Sequence, residues 1–168
     1  MHQKQRPEAR LGRLLGVLLA TSLAVQIVTC VAAVKTEIKP PFSGALEASR
    51  FLRAQGLAEA PLVGSFDHMA STVAGYLDRP FRSTETYEKV TSVVFHNHRW
   101  AMGMPLQIVF NVALLEAKSA GRPAVLLLNR DIGEYRRPDA RIEQLYVTAP
   151  AIVADERFWI FRVSPVGP

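Results

Sequence analysis

The sequence predicts a three-layer, Rossmann-like α/β sandwich with a mainly parallel sheet and an antiparallel C-terminal edge, preceded by one transmembrane helix. Three observations carry this. An uncharged apolar run fills Leu14 to Val34. Helical and strand-like segments alternate from Ser43 onward, the pattern of a parallel sheet covered by helices. Pro123 to Leu128 is continuously apolar, as a central strand buried on both faces must be.

The first run, LLGVLLATSLAVQIVTCVAAV, contains Gln26 as its only strongly polar side chain. About 20 such residues in a helix cross a hydrocarbon core of about 30 Å. Lys4, Arg6, Arg10 and Arg13 precede it against Glu8, and Lys35 and Lys39 follow with Glu37 between. The heavier basic flank is N-terminal, which predicts a cytoplasmic N-terminus and an exported C-terminal domain at the inner (cytoplasmic) membrane. A signal peptide is the competing reading, with Val31-Ala32-Ala33 as its cleavage region. Signal h-regions span about 7–15 residues, so the longer run predicts an uncleaved anchor. Ile27-Val28-Thr29 before Cys30 makes a poor lipobox. The expected organisation is a basic tail (1–13), disordered outside the membrane, then the span (14–34), a linker (35–42) and the exported domain (43–168).

Up to Pro40 there are six Lys/Arg and two Asp/Glu; from Pro41 onward there are fourteen and thirteen. The basic pI therefore belongs to the topology signal. The domain lacks a basic stripe interleaved with aromatics, so nucleic acid is excluded as a partner. With Cys30 alone, the domain has no internal disulfide and relies on burial.

The elements follow in order. Pro40-Pro41 stops the first helix. Ser43 is the expected N-cap of a helix through Leu52 and Arg53, which Gly56 closes. Pro61 to Phe66 is a strand. Asp67 caps a helix over His68 to Leu77. Arg79-Pro80-Phe81 begins a second extended piece, Ser83 to Thr86 is a turn, and Thr91 to His96 is a strand. Trp100 to Met104 is a loop. Pro105 opens a helix carrying Ile108, Val109, Val112 and Leu115, closed by Gly121. After the strand ending at Leu128, Asn129 to Arg137 is a loop and Pro138 to Leu145 a short helix. Ala151 to Val153 and Phe158 to Val163 are expected to form a terminal hairpin.

Gly64, Ser65 and Asp67 fall at the carboxyl end of the first strand, where ligands of open α/β sheets bind. His96 and His98 are two apart, so an extended chain points both to one face. These five residues are the ligand-binding candidates. The spaced glycines of a dinucleotide fingerprint are missing, and Ser65 lacks the flanking glycines of a nucleophile elbow, so pairing it with His68 is a weak hydrolase signal. His96-Asn97-His98 lacks any zinc spacing. No catalytic residue, metal or cofactor is assigned. Phe158 to Phe161 alternate in a way that exposes one aromatic face near Trp159 or packs it on the sheet.

Several stretches carry a family resemblance: Asp67 to Phe81 with Ala74-Gly75-Tyr76-Leu77-x-Arg79-Pro80, Ser92 to Arg99, Arg122 to Asn129, and Ile152 to Arg162 with Asp155-Glu156-x-Phe158. Together they resemble the C-terminal extracytoplasmic domain, with its last membrane helix, of bacterial multi-spanning proteins of the mannosyltransferase-like, lipid-linked-sugar glycosyltransferase class (GT-C). Arg82-Ser83 stands where that pattern often has aromatics. The acidic catalytic loops of such enzymes lie among early membrane helices, and one helix cannot hold them. The resemblance therefore implies a non-catalytic accessory domain of cell-envelope glycosyl transfer. Its partners would be the lipid bilayer and a multi-spanning membrane protein, either as a detached module or as the tail of a longer chain. The alternatives are an independent envelope enzyme, possibly metal-dependent through His96, His98 and Asp67, and an interaction module docking near Trp159.

Overall fold

A computed structural model describes residues 7–37, 41–91 and 104–166, in two compact units, Met1–Pro40 and Pro41–Pro168. The first unit is one helix, α1 (Pro7–Glu37). Residues 7–13, expected to be disordered, belong to it. Once a helix is nucleated each added residue gains a hydrogen bond, and proline is tolerated in the first turn. Its stretch Gly12–Lys35 is long and apolar enough to cross a membrane. The hydroxyls of Thr21 and Thr29 donate to the carbonyls of Val17 and Val25 at 2.8 and 2.7 Å, so both threonines are satisfied within the helix.

The second unit is a mixed α/β domain. Its sheet has the order β3-β2-β1-β4-β6-β5, built from β1 (Leu62–Gly64), β2 (Phe81–Ser83), β3 (Lys89–Val90), β4 (Ala124–Leu128), β5 (Ala140–Val147) and β6 (Trp159–Pro165). β1 pairs in parallel with β2 and with β4. β3 and β6 run against these central strands, and β5 is antiparallel to β6. Among the described residues, four of the six strands thus point one way, with antiparallel pairs at both edges.

Helices cover both faces. Ala48 and Leu52 of α2 (Ala45–Ala54) and Met69 and Val73 of α3 (Asp67–Leu77) pack on Leu62, Val125, Leu127 and Ile160. Val109, Phe110 and Ala113 of α4 (Leu106–Ala120) pack on Val63, Leu126, Phe161 and Val163. All five residues of β4 are buried, alternating between these two cores. Its unbroken apolar run is the consequence.

Three local expectations are corrected. The N-cap of α2 is Gly44, not Ser43, whose hydroxyl instead accepts from the Ala45 amide at 3.0 Å. A Cβ on residue 44 would meet the Thr148 Oγ1 at 2.5 Å, so only glycine fits there. Pro138 to Leu145 is not a helix; residues 140–147 form the strand β5. Ile142, Leu145 and Tyr146 mimic a helical stripe because a β-bulge between Gln144 and Tyr146 interrupts the strand alternation. Ile142 therefore faces the α4 core, while Leu145 and Tyr146 both reach the other. Ala151 to Val153 is not the hairpin partner of β6. Ile152 and Val153 donate instead to the carbonyls of Pro41 and Phe42, ahead of a 3₁₀ turn at Ala154–Glu156. The strand expected at Thr91 to His96 lies mostly outside the described residues.

One tie joins α2 to β5 and is sensitive to alkali. The Tyr146 hydroxyl donates to Glu47 Oε1 at 2.6 Å, and its ring stacks on Phe51 at 4.4 Å. The hydrogen bond to Glu47, then burial, then the Glu47 charge raise the Tyr146 pKa above its ordinary 10.0. A raised phenol stabilises the fold below the unfolded value and loses that contribution as pH climbs through the folded one. Thermal unfolding of Tyr146→Phe should accordingly be lower than wild type near neutrality. The gap should narrow as pH rises above about 10; a gap independent of pH would contradict the assignment.

Candidate functional site

The order of the central strands places a switch point between β1 and β4. From β1 the chain leads through α3 to β2 on one side, while β4 lies on the other. In open α/β sheets the crevice outside the carboxyl ends of such strands is the usual ligand site. Gly64, Ser65 and Asp67 are all there, at the end of β1 and the start of α3.

Gly64 is dictated by packing. A Cβ on it would lie 2.1 Å from the Cβ of Ala70 and 3.1 Å from the Phe81 ring, so α3 sits directly on the backbone of β1. Ser65 is buried, and its amide donates to the Leu127 carbonyl at 3.1 Å, continuing the β1–β4 ladder. Phe66 then takes the left-handed conformation at φ 61°, ψ 75°, uncommon for a bulky residue and found at sharp, over-determined turns. Asp67 does not cap α3. Phe66 holds the N-cap position and Asp67 is the first helical residue, 4% exposed, where its charge suits the positive helix end.

The group that fixes this turn is Glu85, from the turn Ser83 to Thr86. Its Oε1 accepts from the Phe66 amide at 2.7 Å and lies 3.5 Å from the Ser65 Oγ; its Oε2 accepts from the Ser83 hydroxyl at 3.1 Å. The Ser83 Oγ in turn accepts from the amides of Glu85 and Thr86 at 3.2 Å. Gly64 pairs in register with Ser83, so the two turns after β1 and β2 lie side by side. The only sequence sign was a Ser-Thr-Glu-Thr run at a strand end. That pattern fits any turn until the register of β1 and β2 is known.

Among the described residues, Oγ1 of Thr84 and Oδ1 of Asn129 at the end of β4 are buried at this edge with no hydrogen-bond partner. Leaving such a group unpaired costs about 1–3 kcal/mol, so both are places where a polar ligand or water gains a bond. Ser65 is not joined to His68. His68 is exposed and lies edge-on to Phe66, with ring centroids 6.2 Å apart. The edge is thus suited to hydrogen-bond recognition, and among the described residues no base is paired with Ser65. His96 and His98 lie outside the described residues, and among those described no three His, Cys, Asp or Glu side chains form a metal-binding group.

Near the C-terminus, Phe158, Ile160 and Phe161 are buried and Trp159 is half-buried beneath the Arg157 guanidinium, 4.9 Å from the ring. β6 lies between β4 and β5, so it presents no free strand edge for docking near Trp159.

These features define a mixed α/β domain with a polar switch-point edge, carried on a chain with one apolar helix. No family model, curated protein or solved structure matches it.

Proposed function

We propose that the protein is a single-pass, membrane-anchored, non-catalytic accessory domain of cell-envelope glycosyl transfer. Its N-terminus is in the cytoplasm, and its Rossmann-like sandwich lies outside, beside a multi-spanning partner. The observation that carries the anchor is the surface of α1. Its large apolar side chains from Leu14 to Val34 are 50–71% exposed. Fully burying each stabilises by about 1.5–3 kcal/mol, so together they favour a bilayer over water by well over 10 kcal/mol. The basic N-terminal flank supports the orientation. The glycosyltransferase context rests on the resemblance of Asp67 to Phe81 and of Ile152 to Arg162 described above.

Cys30, the single cysteine, lies inside the span and reports on it. In intact membranes a water-soluble maleimide should leave Cys30 unmodified, with labelling after solubilisation under denaturing conditions. Protease added to right-side-out vesicles should digest the domain, and inverted vesicles should protect it. Rapid labelling in intact membranes would remove the anchor, and the reverse protease pattern would remove the orientation. Turnover of a lipid-linked sugar by the purified full chain would overturn the non-catalytic role.

A further inference from the structure

Opposite the switch-point edge, at the amino ends of β1 and β2, the domain gathers positive charge. Arg79, Arg82, Lys89 and Arg122 line a cleft of about 170 Å³ whose one lining carboxylate is Glu116. The volume is more than ten times the roughly 10–15 Å³ that one water occupies on this measure. Glu116 accepts from the Arg82 Nε at 2.9 Å and faces the Lys89 Nζ at 3.4 Å. The Arg82 Nη1 also donates to the Tyr87 carbonyl at 2.9 Å. Arg79 donates to the Ala58 carbonyl, and Arg122 to the Glu59 carbonyl at 2.5 Å. Each arginine carries five N–H donors, so these bonds position the guanidinium groups, and among the described residues they use only one or two donors of each.

The charge does not cancel. Glu116 offsets one cation, the field of Glu59 reaches Arg79, and the carboxyl end of α4 adds about half a negative charge. Four cations still exceed that sum. Burial pulls the Arg79 guanidinium below its ordinary value, outweighing the opposing field of Glu59, and the smaller repulsion of Arg122 adds to it.

A second groove adjoins the cleft. Arg82 and Glu116 form the shared wall, and Tyr87, Val112, Leu115 and Ser119 complete a space of about 330 Å³. Leu115 is 66% exposed and Tyr87 53%. Tyr87 is held at φ 60°, a conformation rare for an aromatic residue and often retained where it serves a site.

We propose that the cationic cleft binds the phosphate or pyrophosphate group of a ligand whose apolar part lies along Tyr87 and Leu115. Guanidinium forks match phosphate oxygens in geometry as well as charge, and the adjoining groove gives an amphiphilic ligand a second contact. The site stands on this cleft alone, whichever side of a membrane the domain faces.

The test uses the full chain in nonionic micelles and follows the arginine Nε–H NMR signals. The probes are inorganic pyrophosphate and a short-chain phosphatidic acid. Saturable shifts of Arg79 and Arg82 are expected, weakening as salt screens the charges. The double variant R79Q/R122Q should bind at least about tenfold more weakly. Removing the opposing carboxylate in Glu116→Gln should tighten binding by several-fold, an effect opposite in sign to damage. Leu115→Ala, at an exposed position, should weaken phosphatidic acid alone. Tighter binding of phosphatidic acid than of pyrophosphate, or binding of phosphatidic acid alone, supports the amphiphilic site and identifies a lipid headgroup; equal binding of both probes overturns the apolar contact along Tyr87 and Leu115 and leaves a free phosphate compound as the ligand of the cleft. No saturable shift with either probe, or unchanged affinity in R79Q/R122Q, overturns it.

Discussion

Replacing Phe161 by alanine is expected to destabilise the domain by about 3–5 kcal/mol, the usual cost of emptying a buried aromatic position. Phe161 is 1% exposed and belongs to β6, opposite Leu126 of β4 and Gln144 of β5. Its ring meets Phe110 of α4 edge-on, with centroids 6.4 Å apart, so truncation strips both the sheet and the helix above it. Domains of this size have about 5–15 kcal/mol in total, so the loss takes a large share. Urea unfolding of the full chain in micelles measures it, and Phe161→Leu should lose clearly less because it keeps most of the volume. A midpoint shift in Phe161→Ala equivalent to less than about 1 kcal/mol would contradict this packing.

Gly64→Ala is the second large effect, and it acts by crowding. The new methyl would sit 2.1 Å from the Ala70 Cβ. Neither group can rotate away, so α3 must lift from β1, at a cost of about 1–3 kcal/mol. The lift also strains the Phe66 turn that Glu85 holds, which places the cost toward the upper end. The decisive comparison is the double variant Gly64→Ala with Ala70→Gly. Glycine within a helix costs about 1 kcal/mol by itself, yet here it removes the clashing atom. The double variant should therefore be more stable than Gly64→Ala, a non-additivity expected only of residues in contact. Additive losses would mean the two positions do not touch.

Glycine at 64 illustrates how far the site was legible. Its place at a strand end was readable from the sequence, and with it the positions of Ser65 and Asp67. Its reason was not, since a close approach to Ala70 depends on where α3 lands. Glu85 was unreadable for the same kind of reason. Its partners Phe66 and Ser65 are 19 and 20 residues away, and only the parallel register Gly64↔Ser83 brings the two turns together.

What the sequence by itself determined were features carried by local composition. The apolar run of α1 is one, because a helix satisfies its own backbone bonds and its length and apolarity are written residue by residue. Others are the helices closed by Gly56 and Gly121, at φ 67° and 64°, and the doubly buried β4. Each depends on neighbours in the chain. Tertiary structure decided whatever depended on distant partners. β5 became a strand because β6 offered it a ladder, with a bulge absorbing a spacing that suits a helix equally well. The cationic cleft arose because β2, β3 and the end of α4 converge, drawing Arg79, Arg82, Lys89 and Arg122 from separate segments onto one surface. Backbone propensity acts over a few residues, whereas hydrogen-bonded register and charge accumulation act through space, and only the folded chain sets those distances.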